Sequence, residues 1–158
     1  MSKDIFAEDD GREMAKVLRE TKCMARYDRI SHDLLSEILV AAALDGVVEG
    51  GNRRGSDVRS PRFGRVEVKS RILGTDGPLP RVSLKPSNLE KADCFVAVRW
   101  ARNFTFYDAV MLPKNVVLVL YENRAQTSGM AHIRWDDWCS AEGAVSLKVK
   151  IMEILQTS

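Results

Sequence analysis

The hydrophobic pattern of the chain begins with helical spacing and changes to strand-like alternation near its middle. Apolar residues at helical spacing predict an amphipathic helix over about residues 10–27 and a more apolar, buried helix over 32–44. Ser31 directly precedes the second helix and is a typical N-cap residue, while Gly46 behind it is a typical stop. The pattern therefore predicts two helices ahead of the sheet.

The clearest strand signal is the alternation that begins at Gly64. Val66 and Val68 are expected on one face of this strand, where they would anchor it in a core. The other face is expected to carry the charged residues Arg65, Glu67, Lys69 and Arg71.

The rest of the chain predicts short strands and a closing helix. Ser87 is expected to cap a brief helix that runs to Ala92. Runs rich in β-branched and aromatic residues predict strands at 94–100, 104–111 and 116–121. The alternation of polar and apolar residues over 81–85 predicts a short strand, residues 130–135 a further strand or an irregular edge, and residues 140–155 a terminal helix. We expect one α/β or α+β domain over residues 1–158, with a mixed β-sheet flanked by helices.

The overall composition says little about function, but the distribution of charge along the chain says more. The 158 residues are 45% hydrophobic and 29% charged, which is ordinary for a globular domain, and the formal net charge of +2 does not by itself indicate nucleic acid. Residues 53–71, however, hold seven basic side chains and only two acidic ones. A focused positive field of this kind suits a polyanionic substrate.

Several classes of protein are disfavoured. Cys23, Cys94 and Cys139 are scattered, so they predict neither a disulfide framework nor a zinc site, and His32 and His132 have no partner at zinc spacing. We expect a reducing, cytoplasmic location, because there is no secretory pattern at the start and no run near the roughly 18 apolar residues of a membrane span.

Asp57, a short turn at 60–62, and then Glu67 and Lys69 on one strand face form the candidate chemical motif. Two carboxylates and an ammonium in this arrangement can hold a divalent metal against a phosphate. Two simpler explanations stay open. An alternating strand with outward charges is also the usual solvated face of a sheet. Moreover, Glu-x-Lys occurs a second time at Glu20 and Lys22, where no Asp turn precedes it.

The Gly-Ser-Asp-Val and Val-Glu-Val-Lys-Ser segments around Asp57, Glu67 and Lys69 resemble the core of the PD-(D/E)XK nuclease superfamily over about residues 31–100. Ser56 stands where the name of the motif places Pro. The resemblance implies a restriction-endonuclease-like fold and a Mg²⁺-dependent endonuclease that hydrolyses DNA and leaves a 5′-phosphate, with Mn²⁺ as a substitute.

The resemblance also implies roles for individual residues. Asp57, Glu67 and the backbone carbonyl of Val68 would bind the metal, and Glu37 on the preceding helix would be an additional ligand. Lys69 would position or activate the attacking water and offset charge on the phosphorus.

DNA is the expected partner, since charged groups around the motif would give salt-sensitive contacts with phosphates. The candidate contacts are Arg53, Arg54, Arg59, Arg62, Arg65 and Arg71, with Lys85, Ser87 and Asn88 as weaker candidates in the same cleft. Because the chain shows no separate recognition domain, we expect a homodimer or a subunit of a larger nuclease system. The alternatives are a catalytically silent nuclease fold that binds DNA or serves in assembly, and a plain α/β interaction protein.

Overall fold

The computed structural model describes residues 7–25, 31–49, 57–74 and 80–156. The chain divides into two units, residues 1–31 and 32–158. The first unit contains helix α1 (Ala7–Glu20) and a 3₁₀ turn (Lys22–Ala25), so the helix expected over 10–27 begins earlier and ends sooner. No helix among the described residues is long and apolar enough to cross a membrane.

Residues 32–158 form an α/β domain. Its helices are α2 (His32–Ala43), α3 (Pro86–Lys91), α4 (Lys114–Arg124), α5 (Trp135–Ser140) and α6 (Lys148–Gln156). Its strands are β1 (Val47–Val48), β2 (Val58–Ser60), β3 (Gly64–Ile72), β4 (Val82–Leu84), β5 (Cys94–Ala101), β6 (Thr105–Pro113), β7 (Ala131–Ile133) and β8 (Val145–Ser146).

The main sheet is mixed, as the sequence predicts. In the described part of the chain it has six strands in the order β1-β2-β3-β5-β6-β8, and β3 and β5 are the parallel pair while the other neighbours are antiparallel. The chain needs a crossover to bring β5 parallel to β3, and that crossover contains β4 and α3. Strand β4 pairs with β7 in a separate small sheet.

The main sheet is covered on both faces, which explains the long apolar run of β5. One face packs Val66, Val96 and Trp100 in the same buried cluster as Leu39 of α2 and Ile151 of α6. The other face contributes to a second buried cluster, whose largest members include Phe95, Leu84, Leu112 and Trp138. Burial on both sides explains why β5 does not alternate in polarity.

The strand predicted over 116–121 is wrong, because these residues lie in α4. Pro113 ends β6 in an extended conformation and precedes the first residue of the helix. The β-branched residues favour a strand locally, but Val117 packs in the core while Val119, two residues later, is exposed. In a strand, those two side chains would lie on the same face, so tertiary packing overrides the local preference.

Two smaller predictions also need correction. Ser87 does not cap α3; it lies inside that helix, whose N-cap residue is Lys85. The Asn88 side chain accepts a hydrogen bond from the Lys85 backbone N–H at 2.9 Å instead. The terminal helix expected over 140–155 begins only at Lys148, because a turn and β8 come first.

A buried hydrogen bond joins α2 to the sheet and provides a test of the packing. The indole N–H of Trp100 donates to Ser36 Oγ at 2.7 Å, and both residues are fully buried. We expect Ser36→Ala to lower the free energy of unfolding by about 1–3 kcal/mol, because the buried indole N–H loses its acceptor. Urea denaturation would measure the loss.

Ser140→Ala is the matched control. Both serine hydroxyls donate to the carbonyl four residues earlier in a helix, but Ser140 is exposed and supports no tryptophan. An equal loss of stability in the two variants would contradict the importance of the Trp100 contact.

Candidate functional site

The antiparallel β2–β3 hairpin brings Asp57 and Glu67 to adjacent positions. Val58 pairs with Val66, and Asp57 and Glu67 are the residues that directly flank this last pair of the hairpin. The turn at 61–63 is followed by Gly64 at φ 76°, where an added Cβ would lie 2.5 Å from Asp93 Oδ2. Glycine is therefore needed at the point where the chain enters β3.

Asp57 is fixed by the backbone of the strand beside it. Its Oδ2 accepts a hydrogen bond from the Val68 N–H at 2.8 Å. In an extended strand the N–H and C=O of one residue point to the same side, so the Val68 carbonyl is directed to the side of β3 that Asp57 occupies. A carboxylate and a carbonyl oxygen are thus available along the same edge of β3.

Glu67 and Lys69 lie on the opposite face of β3 from the valines, as the alternation predicts. Lys69 Nζ is 3.5 Å from Glu67 Oε1, and the same oxygen accepts a hydrogen bond from Asn88 Nδ2 at 3.2 Å. Glu67 is only 7% exposed, which is unusual for a carboxylate outside a site or an ion pair. Asn88 therefore connects the first turn of α3 to the motif.

Glu37 of α2 joins the same group of carboxylates. It lines the same cleft as Asp57 and Glu67, and its carboxyl group is close enough to interact electrostatically with both. Burial, together with the negative charges of Asp57, Asp33 and Glu67, raises the pKa of Glu37 to about 7.

The other two carboxylates are perturbed in the same direction. Burial raises the pKa of Asp57, although the Val68 N–H bond and the Lys69 charge oppose the change. Burial and the charge of Asp57 raise the pKa of Glu67, and Lys69 again opposes. Negative charge is therefore concentrated beyond what Lys69 neutralises, and such a cluster favours a cation.

These residues line one open cleft of about 490 Å³. Of the residues singled out in the sequence, those that line the cleft are Glu37, Asp57, Glu67, Val68, Lys69, Arg71, Lys85 and Asn88. Ser87 does not line it, and Arg53, Arg54 and Ser56 lie outside the described residues. The structure thus gathers the acidic and basic parts of the motif in one place.

The remaining predicted arginines lie around the β2–β3 turn and do not line the cleft. Arg59 forms an ion pair with Glu49 at 2.7 Å, and Arg65 forms one with Asp93 at 3.3 Å. Arg62 is exposed, with its guanidinium 5.1 Å from the centroid of the Phe63 ring. Their contact with DNA stays a prediction, and Arg71 is the member of the set that lines the cleft among the described residues.

Sequence reasoning missed a second wall of the cleft. Arg81 and Ser83 of the β4 segment line it, as does Arg99 of β5. Ser83 Oγ lies 2.7 Å from His132 Nδ1, because β4 pairs with β7 in the small sheet. The alternation of residues 81–85 was visible in the sequence, whereas nothing local linked Ser83 to a histidine 49 positions away.

The carboxylates and the backbone carbonyl of the cleft are hard oxygen donors, the type of ligand that Mg²⁺ prefers. Among the described residues no group of three or more His, Cys, Asp or Glu side chains is arranged to hold a metal ion. Mg²⁺ does not require one, since it is usually bound through one or two carboxylates together with water and substrate phosphate. Asp57, Glu67 and the Val68 carbonyl would supply hard oxygen ligands, and the concentrated negative charge gives the electrostatic reason for a cation.

A comparison with models of known protein families finds none that matches this chain. No curated protein matches it at a significant level either. The assignment of a function therefore rests on the residues and their arrangement.

A divalent cation is expected to stabilise the protein through these carboxylates. At about 100 times its Kd, a ligand that binds only the folded state adds about 2.7 kcal/mol. For a protein of this size, that corresponds to roughly 5–10 °C in melting temperature. We expect Mg²⁺ or Ca²⁺ to raise the melting temperature of the wild type, and Asp57→Asn to reduce the shift in differential scanning fluorimetry.

Glu122→Gln is the control, because Glu122 is an exposed residue of α4 outside the cleft. It should keep the full shift. Equal shifts in the wild type and in Asp57→Asn would show that the cation binds elsewhere.

Proposed function

We propose that this protein is a Mg²⁺-dependent DNA endonuclease with a restriction-endonuclease-like fold. The observation that carries the proposal is the convergence of Glu37, Asp57, Glu67 and Lys69 on one cleft. An isolated Glu-x-Lys on a solvated strand face would have neither a buried glutamate nor neighbouring carboxylates from two other segments.

The order of the helices and strands supports the proposed restriction-endonuclease-like fold. The PD-(D/E)XK resemblance implies an acidic helix, the Asp turn, the Glu-x-Lys strand, and then a helix and another strand. Helix α2 carries Glu37, Asp57 precedes β2, and β3 carries the Glu-x-Lys pair. Helix α3 and the parallel strand β5 then follow.

The residues of the cleft have different roles in the proposed reaction. When bound, Mg²⁺ would polarise the scissile phosphate and promote deprotonation of the attacking water. Asp57 and Glu67 would hold the ion, and the Val68 N–H and Asn88 keep these two carboxylates in place. Glu37 would act behind them as a further ligand or as the acceptor of a proton.

Lys69 is the proposed cationic group next to the reacting phosphate. Its ammonium lies beside Glu67, and its side chain is about one-third exposed, so it is accessible from the cleft. A positive charge at this point would offset the negative charge that develops on the phosphoryl oxygens in the transition state.

Replacement of Lys69 tests the proposal directly. We expect Lys69→Ala to lower the rate of plasmid cleavage in Mg²⁺ by at least about 10²–10³-fold, the usual cost of removing a group that stabilises the transition state. Single-turnover gel assays would measure the rate, and circular dichroism would confirm that the fold is retained. Lys150→Ala, an exposed change on α6, should cleave like the wild type.

Two results would contradict the proposal in different ways. If Lys69→Ala cleaves as well as the wild type, Lys69 has no role in the chemistry. If the wild type binds DNA but forms no product with Mg²⁺ or Mn²⁺, the protein is a silent nuclease fold that binds DNA. Since one cleft would cut one strand, double-strand cleavage should require a homodimer or a partner subunit.

A further inference from the structure

The cleft has a charge gradient that the proposed chemistry does not use. Along β3, the side chains that face the cleft run from Glu67 through Lys69 to Arg71. Arg99 of β5 is the direct neighbour of Arg71 in the parallel register. Arg81 belongs to the same end, because Arg99 Nη2 donates to the carbonyl of the preceding residue, Pro80, at 3.1 Å.

In the described part of the chain, no ion pair joins Arg71, Arg81 or Arg99 to a carboxylate. Asp108 lies opposite Arg99 on β6, but its Oδ1 accepts the Ala109 N–H instead. Like charges on neighbouring strands repel, so this cluster is unfavourable unless an anion approaches it.

Arg99 carries a positive charge inside the core of the domain. The residue is fully buried, and its guanidinium stacks 4.7 Å from the centroid of the Trp135 ring. Its Nε is buried without a hydrogen-bond partner among the described residues. Burial and the charge of Arg71 lower the pKa of Arg99 to about 10, which leaves it charged at neutral pH. A buried charge acts over a longer distance than a solvated one, because water screens it less.

The small sheet presents a matching set of donors. Residues 81, 83 and 85 share one face of the β4 segment, because Val82 and Leu84 are buried on the other. Arg81, Ser83 and Lys85 line the cleft, and Ser83 Oγ lies 2.7 Å from His132 Nδ1 of β7. With the Nδ1–H as the donor of this bond, the Ser83 hydroxyl keeps its own proton for a ligand. The wall therefore places a neutral donor between two cations, a pattern suited to the backbone of a nucleic acid.

The direction of this wall follows from its two ends. The Lys85 N–H is bound by Asn88, which also contacts Glu67, so Lys85 lies at the acidic end. Arg81 follows Pro80 and lies at the arginine end, and Ser83 lies between them. A strand held along this wall would pass the carboxylates and Lys69 before it reaches Arg71.

We propose that Arg71, Arg81 and Ser83 form a subsite for the DNA backbone phosphate next to the one that is cut, with Arg99 and His132 as positioning residues. The inference rests on the proposed nuclease function and adds the path of the bound strand. Arg71 lies two residues beyond Lys69, or about 7 Å along β3, so the two side chains would contact different phosphates. Arg99 acts through Pro80 on Arg81, and His132 acts through the Ser83 hydroxyl.

Binding without cleavage tests the subsite. The probe is a fluorescent DNA hairpin with a single-stranded tail, titrated by anisotropy in EDTA over a range of salt concentrations. We expect Arg81→Gln to weaken binding about tenfold. We also expect it to reduce the slope of log K against log salt by about 0.7 for a single strand or about 0.9 for a duplex. Arg102→Gln removes the same charge from an exposed turn outside the cleft and should change neither quantity.

Binding measurements also test the two positioning residues, His132 and Arg99. Ser83→Ala should weaken binding without changing the salt slope, because it removes a neutral donor. His132→Ala should have the same effect, and the two effects should not add in the double variant. His132→Asn should restore binding, because an Asn amide can reach the Ser83 hydroxyl in place of Nδ1. Arg99→Lys keeps a positive charge but not the fork that contacts Pro80, so binding should weaken while the salt slope changes little.

The possible outcomes distinguish a failure of the proposed subsite from a failure of the proposed nuclease function. If Arg81→Gln binds with unchanged affinity and slope while Lys69→Ala abolishes cleavage, the subsite is wrong and the nuclease proposal stands. If the expected binding losses occur but no Mg²⁺-dependent product forms with any variant, the subsite stands and the nuclease proposal fails. A wild type that does not bind the hairpin at all would overturn the subsite as well.

Discussion

The parallel pairing of β3 with β5 is the constraint on which the site depends. It runs from Val66 and Cys94 to Ile72 and Trp100, at the centre of a sheet covered on both faces. Since Val66 and Val68 must lie in the core, Glu67, Lys69 and Arg71 are forced onto the other face. The same pairing puts Arg99 beside Arg71, so a packing requirement also sets the distribution of charge in the cleft.

The acidic end of the cleft is held by a few contacts from separate segments. The Val68 N–H binds Asp57, Asn88 binds Glu67, and Glu37 of α2 lines the same cleft. Burial of these carboxylates and the repulsion between their charges lower the stability of the protein when no ligand is bound. Costs of this kind are typical of sites whose function requires an unfavourable concentration of charge, and here a divalent cation would relieve the repulsion.

The arginine end presents the complementary problem. Its positive charges are close together, one of them is buried, and none is neutralised by an ion pair within the described residues. A cleft with crowded negative charge at one end and unneutralised positive charge at the other suits a ligand that brings both a cation and phosphates. The metal-bound nucleic-acid strand that we propose as the ligand would bring both.

The sequence by itself predicted the helix over 32–44, the strand that carries Glu67 and Lys69, and the face on which these two residues lie, because the period of two is a local property of β3. It also singled out Asp57 and Glu37. Only the tertiary structure decided that residues 116–121 are helical, since there packing against the sheet overrides β-branched preference. It likewise brought Ser83 to His132 and Arg99 to Arg71. Pairing between distant strands depends on how the whole domain buries its apolar surface, so the residues next to each strand do not predict it.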